Sequence, residues 1–337
     1  EERKRIWYFL SCQNQARVRK GGVSVNEKPF SPNTRLWDIR HAKEFKSFCK
    51  YILCPRDFQV IMQVYRLKDL TLFYPLNPED TALTLNEMRE RVRKKETLFV
   101  PFEKKDTGIY QFLIGEDKPF VLILPGGGYS DVCSLVEGYS TAREFNRLGY
   151  NAFIGLYGVK KDALYPSPIE DVAKMLEYIF KNHEKLHVSI DNYALCGFSA
   201  GGHLAASFCV KDIGYDQYSL PRANTLMLAY GATSFLCDKK SLTAKNFLGK
   251  DWKNPILREK FSIEKRIDKD FPKTFLWQSK NDNVISIQNS VTLAESLKKN
   301  GCVYEYMQVE GKAHGLGSGK GSPAEGWIEK AIKLWEK

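Results

Sequence analysis

The stretch NYALCGFSAGGHLAASF, residues 192–208, joins an apolar run to a helix-like run through a serine set between glycines. Its order is strand, tight turn, helix. In Gly197-Phe198-Ser199-Ala200-Gly201 the glycines stand where a side chain would clash with the neighbouring strand and helix. Such a turn exposes the serine hydroxyl at the top of a sheet, near a helix N-terminus. The same backbone serves a nucleophile or merely a small residue in a turn. The decision between them comes from the rest of the chain.

Outward from this stretch, short apolar runs alternate with amphipathic ones from about residue 97 onward. The expected strands are 97–102, 109–114, 120–125, 150–157, 193–197, 225–230, 274–278 and 303–309, and the expected helices 138–148, 167–184, 200–210, 287–300 and 323–336. Several strands are apolar throughout rather than alternating, which fits a parallel sheet covered on both faces. The alternation predicts a doubly wound, mostly parallel α/β sheet, whose ligands bind beyond the C-terminal strand ends. Residues 1–96 read as a partly helical N-terminal extension, with a helical pattern around 40–53 and a second helix starting near 84. Residues 97–337 read as the catalytic domain. Within it 231–272 form an insertion, a candidate lid, with short helices in SLTAKNFLG and PILREKF.

The 337 residues can bury a sizeable core, and a hydrophobic content of 43% fits a globular chain. No window approaches the roughly 18 apolar residues of a membrane span. The opening EERKRIWYFLSC has neither a Met nor an apolar region long enough for a signal peptide, so it reads as a trimmed start. Eight scattered cysteines without a CxxC pair point away from a zinc ribbon and towards a reduced, cytoplasmic setting. The net charge of +11 comes partly from QARVRKGG (15–22) and RVRKKE (91–96). Both lie outside the segments carrying the chemistry and read as solvated surface, so no nucleic-acid partner is expected.

Three further elements bear on Ser199. LPGGGYS (124–130) directly follows an apolar strand. Its glycines let backbone N–H groups approach a ligand, and with the Ala200 N–H they can serve an oxyanion. No Gly-Lys-Ser/Thr or complete G-x-G-x-x-G follows, which argues against a nucleotide loop. His314, in EGKAHGLGSG, follows the strand at 303–309, where a general base is needed. Asp282, in KTFLWQSKNDNVIS, lies just beyond the strand at 274–278, whereas Asp268 and Asp270 precede it. The order Ser, Asp, His suits a triad in which the acid orients the imidazole. His203 lies one helical turn beyond Ser199 and reads as packing, while His183 and His187 lack an acidic metal partner and read as surface. Order, position relative to strands and chemical role agree, and Ser199 reads as a nucleophile.

These residues resemble the α/β-hydrolase superfamily from about residue 97 to the C-terminus. LPGGGYS, EGYSTAREFNRLGYNAFIGLYGV, YPSPIEDV, GFSAGGHLAA, NDNV and AHG are similar to the group holding carbohydrate acetyl esterases and hormone-sensitive-lipase-like enzymes. The resemblance implies Ser199, Asp282 and His314 as the triad, and Gly127, Gly128 and Ala200 as oxyanion donors, with Tyr129 N–H an alternative. It gives Asp171 a structural role and implies no metal or organic cofactor. Pro125 stands where many relatives have His, and Gly158 where an Arg often follows the Tyr. The expected reaction is hydrolysis of a small acyl ester, acetylated sugars among the candidates, with Tyr129 and Phe198 as candidate pocket residues. Amide or formamide hydrolysis on the same triad, and a binding protein on a hydrolase scaffold, are the alternatives.

Overall fold

The computed structural model describes residues 28–53, 63–238 and 241–337. The basic run 15–22, Cys12 and Cys54 lie outside the described residues. The strands are β1 (Phe99–Pro101), β2 (Gly108–Phe112), β3 (Lys118–Leu124), β4 (Asn151–Leu156), β5 (Val188–Phe198), β6 (Thr225–Ala229), β7 (Lys273–Ser279) and β8 (Tyr304–Val309). They form one sheet in the order β1-β2-β4-β3-β5-β6-β7-β8. β1 and β2 pair antiparallel at one edge, and every pairing from β4 to β8 is parallel. Every residue of β4 and β6 is buried, which accounts for the apolar runs that follow Asn151 and Thr225.

The helices used below are α1 (Pro78–Arg93), α2 (Tyr139–Arg147), α3 (Ser167–Lys181), α4 (Ser199–Cys209), α5 (Leu242–Leu248), α6 (Pro255–Lys260), α7 (Gln288–Lys299) and α8 (Trp327–Glu336). α3 packs on α4, while α2 is joined to α8 through Arg147 and Glu329 at 3.1 Å. In the sheet register, Leu124 stands opposite Gly197 and Phe198 opposite Ala229. The ends of β3, β5 and β6 are therefore level, and the loops leaving them meet. That register builds the site.

Two expectations for the N-terminal part are corrected. The pattern around 40–53 is broken into Leu36–Arg40, Lys43–Phe45 and Cys49–Ile52, because the chain bends to bury Ile39, Phe45, Phe48 and Ile52 in succession. The later helix starts at Pro78, not near 84. Asn77 Oδ1 accepts from Asp80 N at 3.0 Å, Pro78 occupies the first helical position, and Glu79 and Asp80 complement the helix dipole. α1 lies on α2, where Arg143 pairs with Asp80 at 3.3 Å and Glu87 at 2.8 Å. Within the run 91–96, Arg91 donates to Leu113 O and Asn146 Oδ1, both at 2.7 Å, and Arg93 pairs with Glu44 and Glu90. These charges serve internal contacts.

Both helices expected between 231 and 272 are present, as α5 and α6. Ser241 Oγ caps α5 by accepting from Ala244 N at 3.2 Å, and Asn254 caps α6. Phe247 of α5 and Phe261 after α6 are buried beside Tyr165, with ring centroids 5.2 Å apart.

Candidate active site

Ser199 occupies the turn between β5 and α4 with a φ of 49°, a left-handed conformation that side-chain-bearing residues seldom adopt. The flanking glycines make this turn possible. A Cβ on Gly201 would lie 2.1 Å from Leu124 O, and one on Gly197 2.5 Å from Gly201 O. The backbone thus aims the serine hydroxyl above the strand ends.

The structure brings the three expected residues together. His314 Nε2 lies 2.9 Å from Ser199 Oγ, and His314 Nδ1 lies 2.8 Å from Asp282 Oδ2. A carboxylate can only accept, so Nδ1 carries the proton and Nε2 is left to accept from the serine. Asp282 is itself fixed. Its Oδ1 accepts from Val284 N at 2.8 Å and Ile285 N at 2.9 Å, and Gln278 Nε2 donates to its Oδ2 at 3.2 Å. Ser279 Oγ donates to Ala313 O at 2.7 Å, which ties the end of β7 to the histidine loop. Ser199 is only 8% exposed and the His314 side chain 12%, so the pair is largely withdrawn from bulk water.

The glycine loop after β3 lies directly beside them. A Cβ on Gly126 would stand 2.6 Å from Ser199 Cβ. Gly127 and Gly128 have φ of 127° and 63°, and among the described residues their N–H groups donate to no protein acceptor. The Gly126 N–H is taken, donating to Glu137 Oε2 at 2.5 Å. From α5, Asn246 Nδ2 donates to Gly128 O at 2.7 Å and Ser130 Oγ at 2.8 Å, bracing the loop from outside. Glu137, Asn246 and Gln278 escape the motif reading because none sits within a recognisable pattern.

Tyr129 and Phe198 do not line open surface, which corrects their reading as pocket residues. Both are fully buried. The Tyr129 hydroxyl lies 3.0 Å from His203 Nδ1, and the Phe198 ring packs edge-on against Trp327 at 5.9 Å. Tertiary packing directs both rings inward. His203 Nε2 lies 3.0 Å from Phe261 O, so Nε2–H donates there and Nδ1 accepts from Tyr129. Burial pushes the His203 pKa down to about 4 and keeps it neutral. His203 packs, as read. His187 is exposed, 3.6 Å from Asp117, and among the described residues no three His, Cys, Asp or Glu side chains could hold a metal.

Asp171 is buried, and its Oδ2 accepts from Gly158 N at 2.8 Å and Lys104 Nζ at 2.6 Å. Lys104, from the β1–β2 loop, thus supplies the cation at the carboxylate of Asp171. A cavity of about 430 Å³ opens beside the glycine loop, walled by Ser130, Asp131, Tyr157, Lys104, Lys160 and others, but not by Ser199 or His314.

The strand order and the sharp turn at Ser199 define an α/β-hydrolase. The chain belongs to the BD-FAE family, which its residues 113–297 match over more than half its length. It is 28% identical over 232 residues to endo-1,4-beta-xylanase B of Butyrivibrio fibrisolvens, covering 65% of this chain and 36% of that protein. It is 24% identical over 202 residues to an acetylxylan esterase of Xylanibacter ruminicola, covering 58% of this chain and 40% of that protein. The chain therefore spans well under two thirds of either relative. An acetyl ester-xyloside bifunctional hydrolase from Caldicellulosiruptor lactoaceticus shares the fold with a TM-score of 0.61 at 23% identity, over 71% of this chain and 93% of that one. A truncated carbohydrate esterase from gut microbiota has a TM-score of 0.60 at 18% identity, over 71% and 96%.

Proposed function

We propose that this chain hydrolyses carboxylic esters of a small acyl group, with acetylated carbohydrate as the first substrate class to test. The observation that carries the reading is the continuous hydrogen-bonded line from Ser199 through His314 to Asp282, at 2.9 and 2.8 Å. Relatives named acetylxylan esterase and carbohydrate esterase support the substrate class. In the proposed reaction His314 Nε2 takes the Ser199 proton as Oγ attacks the ester carbonyl carbon. The N–H groups of Gly127, Gly128 and Ala200 receive the negative charge that develops on the carbonyl oxygen. Collapse of the tetrahedral intermediate breaks the ester C–O bond, and His314 returns its proton to the departing alcohol. His314 then deprotonates a water that attacks the acyl-enzyme, releasing the carboxylic acid and restoring Ser199. Asp282 keeps the imidazole in the required tautomer throughout.

The test is fluorophosphonate labelling with peptide mass spectrometry, beside turnover of an acetyl ester by wild type and Ser199→Ala. Labelling confined to Ser199 and a fall in turnover of about 10⁴-fold or more in the variant are expected. A wild type that neither labels nor turns over a panel of short esters would place this chain among binding proteins on a hydrolase scaffold.

A further inference from the structure

We propose that Glu137 is a positioning residue of this site, its carboxylate holding the glycine loop in place beside Ser199. The inference rests on the esterase reading above. Glu137 lies in the turn Ser134–Gly138 that leads into α2, and it is 4% exposed. Its Oε2 accepts the Gly126 N–H at 2.5 Å and would stand 3.0 Å from a Cβ on that glycine. Gly126 in turn abuts Ser199. On the other side the backbone of this turn lies against the histidine loop: a Cβ on Gly317 would stand 2.3 Å from Val136 O and 3.6 Å from Glu137 Cα, and Gly317 N donates to the Tyr230 hydroxyl at 3.0 Å. The Tyr230 ring meets the His314 ring edge-on, with centroids 4.6 Å apart. The turn that carries Glu137 therefore touches the histidine loop with its backbone and the loop after β3 with its carboxylate.

Its electrical surroundings are simple. Burial raises the Glu137 pKa, while the nearby His314, the Gly126 N–H and the Tyr230 O–H pull it back. The other titratable groups that feel it are Cys133, Cys196, Tyr157 and Tyr230, all pushed up by burial and so neutral. Among the described residues His314 is the one partner in this set that gains positive charge during turnover. When the imidazole takes the Ser199 proton it gains a positive charge in the neighbourhood of Glu137, while Asp282 orients the ring.

Glu137→Gln keeps the volume and an acceptor oxygen but removes the charge. It is expected to lower kcat on a short acetyl ester about tenfold, equivalent to about 1.4 kcal/mol, with KM within about twofold. The acid limb of the kcat/KM profile moves to lower pH, because imidazolium loses a favourable neighbour. A purely structural role would not move that limb. Should Glu137→Gln not fold, Glu137→Asp, which keeps the charge but shortens the reach to the Gly126 N–H, carries the test: a lowered kcat is expected, and a wild-type kcat overturns the role. Wild type and Ser199→Ala run in the same series. No wild-type turnover, or turnover that survives Ser199→Ala, overturns the esterase reading and this proposal with it. An active wild type, a dead Ser199→Ala, and a Glu137→Gln with wild-type kcat and acid limb overturn the positioning role alone.

Discussion

At the ends of β3, β5 and β6 the chain holds Tyr129, Ser199 and Tyr230 at φ of 57°, 49° and 42°, all three buried. Glu137 and His203 are buried beside them. The segment packed on α2 is built by ordinary rules: a capped helix, acids in its first turn, arginines in its last. Its one left-handed residue there, Lys95, is exposed just past α1, where helices commonly end that way. Strain and buried polarity cost stability and persist only where the surroundings enforce them. Among the described residues the buried left-handed residues gather at the C-terminal ends of these central strands, where the proposed chemistry would take place.

The contrast can be broken most strongly at His203. Its pKa is about 4 in the folded chain against about 6.5 when unfolded, so the unfolded state binds the extra proton between those values. Stability is fully present above pH 6.5 and falls as pH drops towards 4, by about 3 kcal/mol from this residue. Denaturant unfolding across that range should show Gln in place of His203 flattening the slope by about 1.4 kcal/mol per pH unit. An unchanged slope would mean that His203 is not the group responsible.

The next effect concerns the brace on the glycine loop. Asn246→Ala removes both hydrogen bonds to Gly128 O and Ser130 Oγ. A fall in kcat of about tenfold is expected, smaller than the roughly 10²–10³ of losing an oxyanion donor itself. Steady-state kinetics with unchanged thermal stability would assign the effect to the loop; wild-type kcat would show that the loop holds its own shape.

The smallest effect belongs to the N-terminal segment. Arg143→Ala should cost about 1 kcal/mol or less in thermal unfolding, since partly exposed ion pairs contribute little. Its kcat should equal that of wild type. A large loss of activity would show that the segment and the site are coupled after all.

How much of this was legible in the sequence follows the same division. Apolar runs such as FVLIL and YALCG report burial on both faces directly, which made the central strands readable, while the partly buried edge strands β1 and β8 showed as short runs rich in aromatic and β-branched residues. That Ser199, His314 and Asp282 come together was readable because each directly follows a strand of the one sheet. Glu137 was not, because a carboxylate in SLVEGYS looks like any helix-start acid until the fold buries it. The orientation of Tyr129 and Phe198 depends on neighbours distant in sequence, and proximity to a motif misled the reading. The start of α1 was written in Asn77-Pro78-Glu79-Asp80, a capping signal that the apolar periodicity alone overlooks.

The ion pair at Asp171 constrains how this chain can change. A Cβ on Gly158 would stand 2.4 Å from Asp162 O and 2.5 Å from Lys104 Nζ. Lys104, three strands earlier in sequence, already occupies the place a cation at 158 would take. Placing the charge at 158 therefore demands paired substitutions, because losing Lys104 alone leaves the buried Asp171 carboxylate without its ion pair and adding a cation alone crowds two onto it. The two positions form an epistatic unit, and engineering either one must treat them as a single site.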